Sequence, residues 1–298
     1  MLTKRVAGKA GAVIVLLLVI PGAIAAQEDD SKAIKAGVFM KERPATGKKT
    51  TSTVRYRPSA KSKATNVISA PAGTSFAEMG ITLWRFRRST SADQTKELIE
   101  DEEGTSTEWT LERVEDDTPL SPGQKVRIGI ESLSRTGYLY VIDREMYEDG
   151  STGEPRLIFP TKRTSDTHFV RAGRLIYVPS ATGKFIIKPS EGAKRHVGEL
   201  LTIIVSSQRL VDPEQLASRS ISLTRQQVES WEKLWGAAST RFELDGGVGQ
   251  AMTAKEKAAG ATASPELTQD DPLPQTVYRV AIKPANPILL SVPLRFRN

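Results

Sequence analysis

Between Ile81 and Val205, apolar and polar residues alternate in short runs separated by turn-forming stretches such as Thr118–Gly123 and Asp149-Gly150. Successive side chains of a β-strand point to opposite faces, so a period of two marks a strand with one face buried. Ile81–Arg87 and Trp109–Val114 read this way, and Val126, Ile128 and Ile130 alternate with Lys125, Arg127 and Glu131. Tyr138–Asp143 is apolar on both faces, which predicts a central strand. Leu157–Pro160, Leu175–Pro179, Phe185–Ile187 and Leu200–Val205 continue the series at regular spacing. Such a series predicts a mainly β fold, an antiparallel β-sandwich-like domain.

One or two helices interrupt it in a C-terminal extension. Thr224 followed by Gln227 fits a capping box, and Val228, Trp231, Leu234 and Trp235 then share one helical face. Gly236 is the expected stop. Thr253 and Glu256 open a second, shorter helix, and residues 260–275 read as loop. The chain then returns to strand through Tyr278, Val280 and Ile282 and through Ile288–Phe296. Pro293 cannot donate to a β-ladder, so this last strand is expected at an edge or with a bulge. The acidic run Ala92–Gly104 is expected to be a solvated loop or a fraying helix.

The N-terminus reads differently. Lys4, Arg5 and Lys9 precede the apolar run Ala12–Ile20, Pro21-Gly22 breaks it, and Ala23-Ile24-Ala25 follows. That is the pattern of a secretory signal peptide; the run is shorter than the roughly 20 residues that span a bilayer. The organisation expected is a signal over 1–25, a disordered basic tether over 26–75, a β-sandwich-like domain over 76–211, and a helix with C-terminal strands packing on it over 212–298. Within the tether only Val38-Phe39-Met40 and Val54-Arg55-Tyr56 offer spots to dock as short strands. The protein is expected to be exported, periplasmic or extracellular, with no transmembrane segment.

Charge is segregated. Residues 31–63 hold ten Lys or Arg and one acid, Glu42, whereas residues 97–117 hold ten acids and one base, Arg113. Opposite blocks either attract each other within the molecule or serve different partners. The basic block is expected to touch an envelope surface at most; a nucleic-acid partner is not expected outside the cytoplasm, and Phe39 and Tyr56 give little for base stacking.

The chain contains no cysteine. This excludes thiol nucleophiles, thiolate metal sites and disulfides, so an exported fold must rest on its core. His168 and His196 are the two histidines, and both read as exposed loop residues. Asp143, Glu145, Glu148 and Asp149 gather four acids in eight residues. Oxygen-rich loops suit calcium, which makes these four the place to look for a metal, although their spacing does not fit an EF-hand and an acidic hairpin end is the plainer reading. Tyr138, Tyr140, Tyr177, Trp231 and Trp235 are candidate binding aromatics, with core packing as the competing fate. Phosphate-loop, SxxK and GxSxG patterns fail on spacing or context. No cofactor is expected.

Gly123–Ile128, Gly137–Asp143, Asp149-Gly150, Leu157–Thr161, Ala172-Gly173-Arg174, Val178-Pro179 and Leu201–Leu210 follow one another in an order that resembles the bacterial domain-of-unknown-function family numbered 4384, over roughly 119–210. The resemblance implies a β-rich accessory or sensing module and supplies no catalytic residues. The resulting expectation is an exported, non-enzymatic accessory or binding module of the bacterial cell envelope, its partner an unknown envelope protein or polymer. Two alternatives stand beside it: a carboxylate-dependent envelope hydrolase working near Asp143–Asp149, and a structural protein assembling through a sheet edge.

Overall fold

The computed structural model describes residues 33–46, 53–59, 75–100, 103–164, 168–216, 220–260 and 266–297. The signal segment and residues 26–32, 47–52 and 60–74 of the expected tether lie outside the described residues. The strands are β1 (Ile34–Lys35), β2 (Arg55–Pro58), β3 (Ser75–Arg88), β4 (Glu97–Glu100), β5 (Ser106–Val114), β6 (Lys125–Ser132), β7 (Gly137–Tyr147), β8 (Arg156–Phe159), β9 (Phe169–Val170), β10 (Ile176–Val178), β11 (Phe185–Ile186), β12 (His196–Ser206), β13 (Ile221–Ser222), β14 (Ser239–Leu244), β15 (Thr276–Ile282) and β16 (Ile288–Arg295). Two α-helices, α1 (Arg225–Trp235) and α2 (Ala254–Ala259), complete the set among the described residues.

The strands form two antiparallel sheets. In the first, β3 is the spine. One of its edges carries β15 along Ser75–Ile81 and β5 along Leu83–Arg88, and the other carries β6 along Met79–Arg85. From β15 the sheet extends through β14 and β2 to β1; from β5 it ends at β4; β10 and β11 pair with β6. The second sheet runs β13-β8-β7-β12-β16, with β9 also on β7. The inner faces meet in one core. Met79, Ile81, Leu83, Ile128, Ile130 and Val280 come from the first sheet; Leu139, Val141, Ile203, Val205, Leu290 and Val292 come from the second. This is the β-sandwich that the alternating runs predict. No disulfide contributes, and burial at roughly 25 cal/mol per Å² of apolar surface is the main stabilising term.

β16 lies at the edge of the second sheet, paired with β12 from Gly198 to Val205, as Pro293 requires. β15 instead lies between β14 and β3, so the C-terminal residues are part of the sandwich rather than an addition to it. Thr224 caps α1 by accepting from the Gln227 N–H, and Thr253 and Glu256 make the reciprocal capping box of α2.

Two expectations change. The run Ala92–Gly104 contains β4, which pairs with β5. Glu97 belongs to a strand because Arg127 takes its carboxylate in two bonds of 2.8 Å. The described parts of the tether are folded as well. β1 and β2 extend the first sheet, and Phe39, Met40 and Tyr56 pack with Leu133, Phe242, Leu244 and Val277 in a satellite core on its outer face. Those three side chains supply the apolar surface that the polar remainder lacks. The acids of the 97–117 block pair with arginines of β3, β6 and β14: Glu112 with Arg85 and Arg87, Glu97 with Arg127, Asp116 and Asp117 with Arg241. From the basic block Arg43 is buried against Glu131 of β6, outside that acidic run.

Candidate functional site

The inner face of the second sheet turns polar at one end. Along β7, Asp143 and Glu145 follow Leu139 and Val141 on the same face. Along β12, Glu199 precedes Leu201, Ile203 and Val205 on that face. The two strands are in register with Glu199 opposite Glu145 and Leu201 opposite Asp143. Three carboxylates therefore share the rim of the core. A register shift between His196 and Gly198 turns the His196 ring against Phe296, with ring centroids 4.9 Å apart.

Proton accounting orders this cluster. The Ser190 N–H donates to His196 Nδ1 at 2.9 Å, so Nδ1 is an acceptor and Nε2 carries the hydrogen. Nε2 donates to the Gly198 carbonyl at 2.8 Å and lies 3.3 Å from Glu199 Oε1. The Ser190 hydroxyl is 3.1 Å from Nδ1. Asp143 Oδ1 and Glu199 Oε2 are buried without a donor from elsewhere, and the two side chains lie within hydrogen-bonding reach of each other. Two ionised carboxylates at that range repel, which favours a proton held between them. Burial, and then the Asp143 charge, pushes Glu199 up to about 9, and burial raises Asp143 as well. The Tyr147 hydroxyl donates to Glu145 and lowers its pKa, keeping it ionised. Neighbouring acids driven in opposite directions can serve as proton donor and proton acceptor.

The other predicted positions separate from this cluster. Glu148 pairs with Arg195 and Asp149 with Lys194, each at 3.0 Å on an exposed hairpin end. Hydrogen bonds from the Ser151 hydroxyl and amide, with Lys194, hold Asp149 down to about 2. Among the described residues no group of three or more His, Asp or Glu is arranged to hold a metal ion, so Asp143, Glu145, Glu148 and Asp149 do not converge as a ligand set. His168 and His196 are both buried, not exposed, at 2% and 7% accessibility. His168 packs its ring on Tyr138 and Tyr140, and His196 closes the loop 190–196.

Tyr140 and Tyr177 are core residues. The Tyr140 hydroxyl accepts from the Leu210 N–H at 2.9 Å, and the Tyr177 hydroxyl donates to the Glu256 carbonyl at 3.0 Å. Tyr138 is half-buried, with Arg209 over its ring. On the outer face of the second sheet, Val228 of α1 is buried against Tyr140, Ile142, Ile204 and Leu289. Trp231 and Trp235 pack beside them, stacked at 5.7 Å, and each stays half-exposed. Leu234 lies beside them but outside the buried stripe of Val228; it is 62% exposed. Arg144, beneath the helix, binds Glu232 and the Thr202 hydroxyl.

Sequence reading reached Asp143 and Glu145 through their acidic run. It did not reach Ser190 or Glu199 as site residues. The spacing of His196 and Glu199, three apart, was the available signal, and their meeting with Asp143 depends on the pairing of β7 with β12. No protein-family model, no curated protein and no solved structure matches this chain.

Proposed function

We propose that this protein is an exported accessory or binding module of the bacterial cell envelope that recognises a partner through α1. The supporting observation is the ridge of the helix, where stacked, half-exposed Trp231 and Trp235 adjoin exposed Leu234. Aromatic residues with one packed face and one wet face are typical anchors of recognition surfaces. Export is supported by the basic and apolar pattern of residues 1–25.

The test is capture from a periplasmic and outer-envelope extract by the full chain and by its Leu234→Lys and Trp235→Ala variants. A component retained by the parent and lost by both variants supports the reading. Equal capture by all three removes it.

A second reading, hydrolysis, is favoured by one observation, the proton-sharing pair Asp143 and Glu199 beside ionised Glu145. Turnover of an ester, glycoside or peptide substrate that is abolished by Glu199→Gln supports it.

A further inference from the structure

We propose that the outer face of the first sheet, at the end where β3, β5, β6 and β11 meet, binds an acidic polymer chain through Arg88, Lys125, Lys184 and Lys188. This surface belongs to a different sheet from the one that carries α1, and it works whether or not α1 has a partner.

Strand alternation brings the four cations to one side. On β3, Trp84 and Phe86 belong to a cluster on the outer face of the first sheet, and Arg88 follows them on that face. Its register partner on β5, Trp109, packs on the same cluster. On β6, Val126 and Ile128 enter the core, so Lys125 and Arg127 point outward. Phe185 and Ile187 turn to the core, which leaves Ile186, 57% exposed, facing outward beside Lys125, with Lys184 and Lys188 on either side of it. Arg88 and Lys125 both lie over the Trp109 ring, 4.5 and 4.3 Å from its centroid.

Among the described residues these four cations form no ion pair, whereas their neighbours do. Arg85 and Arg87, on the opposite face of β3, share Glu112, and Arg127 takes Glu97. Glu97 is the acid in register with Trp109, and Arg127 holds both its oxygens at 2.8 Å. The patch therefore carries uncompensated positive charge, which attracts anions. Lys184 and Lys188 are up to about 13 Å apart along their extended run, with Lys125 alongside. One small anion cannot span them; a chain with a charge on each repeat meets them in turn. Two features select a flexible polymer over other polyanions. Trp109 is packed on the outer-face cluster and engaged by two cations, so the patch offers no open ring for a stacked base. Ile186 alone, among the described residues of the patch, exposes a large apolar side chain, too little to insert into a bilayer.

The experiment measures binding of fluorescein-labelled inorganic polyphosphate and of labelled poly-L-glutamate to the full chain by anisotropy, at low and at physiological salt. Either polymer is expected to bind, more weakly as salt rises. Arg88→Gln with Lys125→Gln is expected to weaken binding about 10-fold or more, at about fivefold for each charge removed from the surface. Lys184→Gln with Lys188→Gln should do the same from the neighbouring strand. None of the four side chains is in the core, so both double variants should melt with the parent. Lys48→Gln with Lys49→Gln removes two charges from the basic N-terminal block and is expected to change affinity less than about twofold at physiological salt. Equal weakening by all three double variants would mean that the polymer follows net charge, and overturns the proposal. So does failure of both polymers to bind at low salt, or competition by inorganic phosphate at the same concentration of phosphate groups, which would mark a single-anion site. Tighter binding of a DNA duplex than of either polymer overturns it as well. Vesicles of equal parts phosphatidylcholine and phosphatidylglycerol, bound by the parent and lost by the patch variants while neither polymer binds, would assign the patch to a bilayer instead. Leu234→Lys should bind the polymers as the parent does, so the outcome at this patch and the outcome of capture through α1 are read separately.

Discussion

Arg43 and Glu131, separated by 88 positions, meet in a two-point contact of 2.8 and 2.6 Å, with both side chains almost fully buried. Arg43 also donates to the carbonyls of Thr268 and Pro272, each at 3.2 Å. One guanidinium thus joins the N-terminal segment, β6 and the loop before β15. Removing one partner of a buried pair leaves an uncompensated charge and costs about 3–5 kcal/mol. Arg43→Ala is expected to lose stability in that range by urea denaturation, and Arg43→Met with Glu131→Leu to recover only part of it, because the Gly173 N–H then loses its acceptor. If Arg43→Ala matches the parent, the N-terminal segment is not anchored in this way.

Gly173 depends on the same contact. Its N–H donates to Glu131 at 2.7 Å, and its carbonyl accepts from the Leu267 N–H at 2.7 Å. Its φ is +85°, and a Cβ there would sit 2.5 Å from the Leu267 carbonyl oxygen. Backbone conformation and space both demand glycine. Gly173→Ala is expected to destabilise by more than about 1 kcal/mol, as incompatible φ substitutions do, whereas Gly192→Ala, where nothing lies within 4 Å, is expected to leave the midpoint unmoved. Equal midpoints for the two variants would refute the close approach.

The legible part of this molecule is the part decided locally. Ile81–Arg87 and Val126–Ile130 alternate because each strand has one face in the core, and that pattern needs no knowledge of a partner. Thr224 and Thr253 announce helix starts for the same reason: a cap is satisfied within one turn. β4 was illegible because Glu97 looks solvated until Arg127, 30 positions away, is placed over it. Arg43 hid in a basic run for the same reason. At the rim, composition pointed to Asp143 and Glu145, but Glu148 and Asp149 continue past the core to the hairpin end. The group that joins Asp143 comes from β12, and only the strand register supplies it.

The shared proton of Asp143 and Glu199 makes stability depend on pH. Glu199 holds its proton up to about 9 in the fold and loses it around 4.5 when unfolded. Between those values the native state binds more protons, so stability falls as pH rises from about 5 to about 9. The slope from one proton is at most about 1.4 kcal/mol per pH unit, and the contribution is fully present below the unfolded value. Glu199→Gln keeps an N–H to reach Asp143 and removes the titration. Its urea midpoint is expected to vary less over this range and to exceed the parent's at pH 9. Parallel profiles for the two proteins would exclude a shared proton.

α1 permits a prediction that separates packing from recognition. Val228 is 1% exposed and Leu234 is 62% exposed, although both lie on one short helix. Burying a valine is worth about 1.5–3 kcal/mol, and an unpaired ammonium in its place adds a desolvation cost. Val228→Lys is therefore expected to destabilise by more than about 3 kcal/mol and to detach the helix. Leu234→Lys changes no buried contact and is expected to stay within about 0.5 kcal/mol of the parent, as exposed substitutions do. Thr224→Ala, which removes the cap, is expected to cost about 1 kcal/mol. Trp231 and Trp235 report on this, because their stacked rings pack against the cluster that buries Val228. Tryptophan emission should shift to the red in Val228→Lys before the sandwich unfolds and remain unchanged in Leu234→Lys. A red shift in Leu234→Lys would mean that Leu234 holds the helix to the sheet, and the ridge would then be structural rather than a surface for a partner.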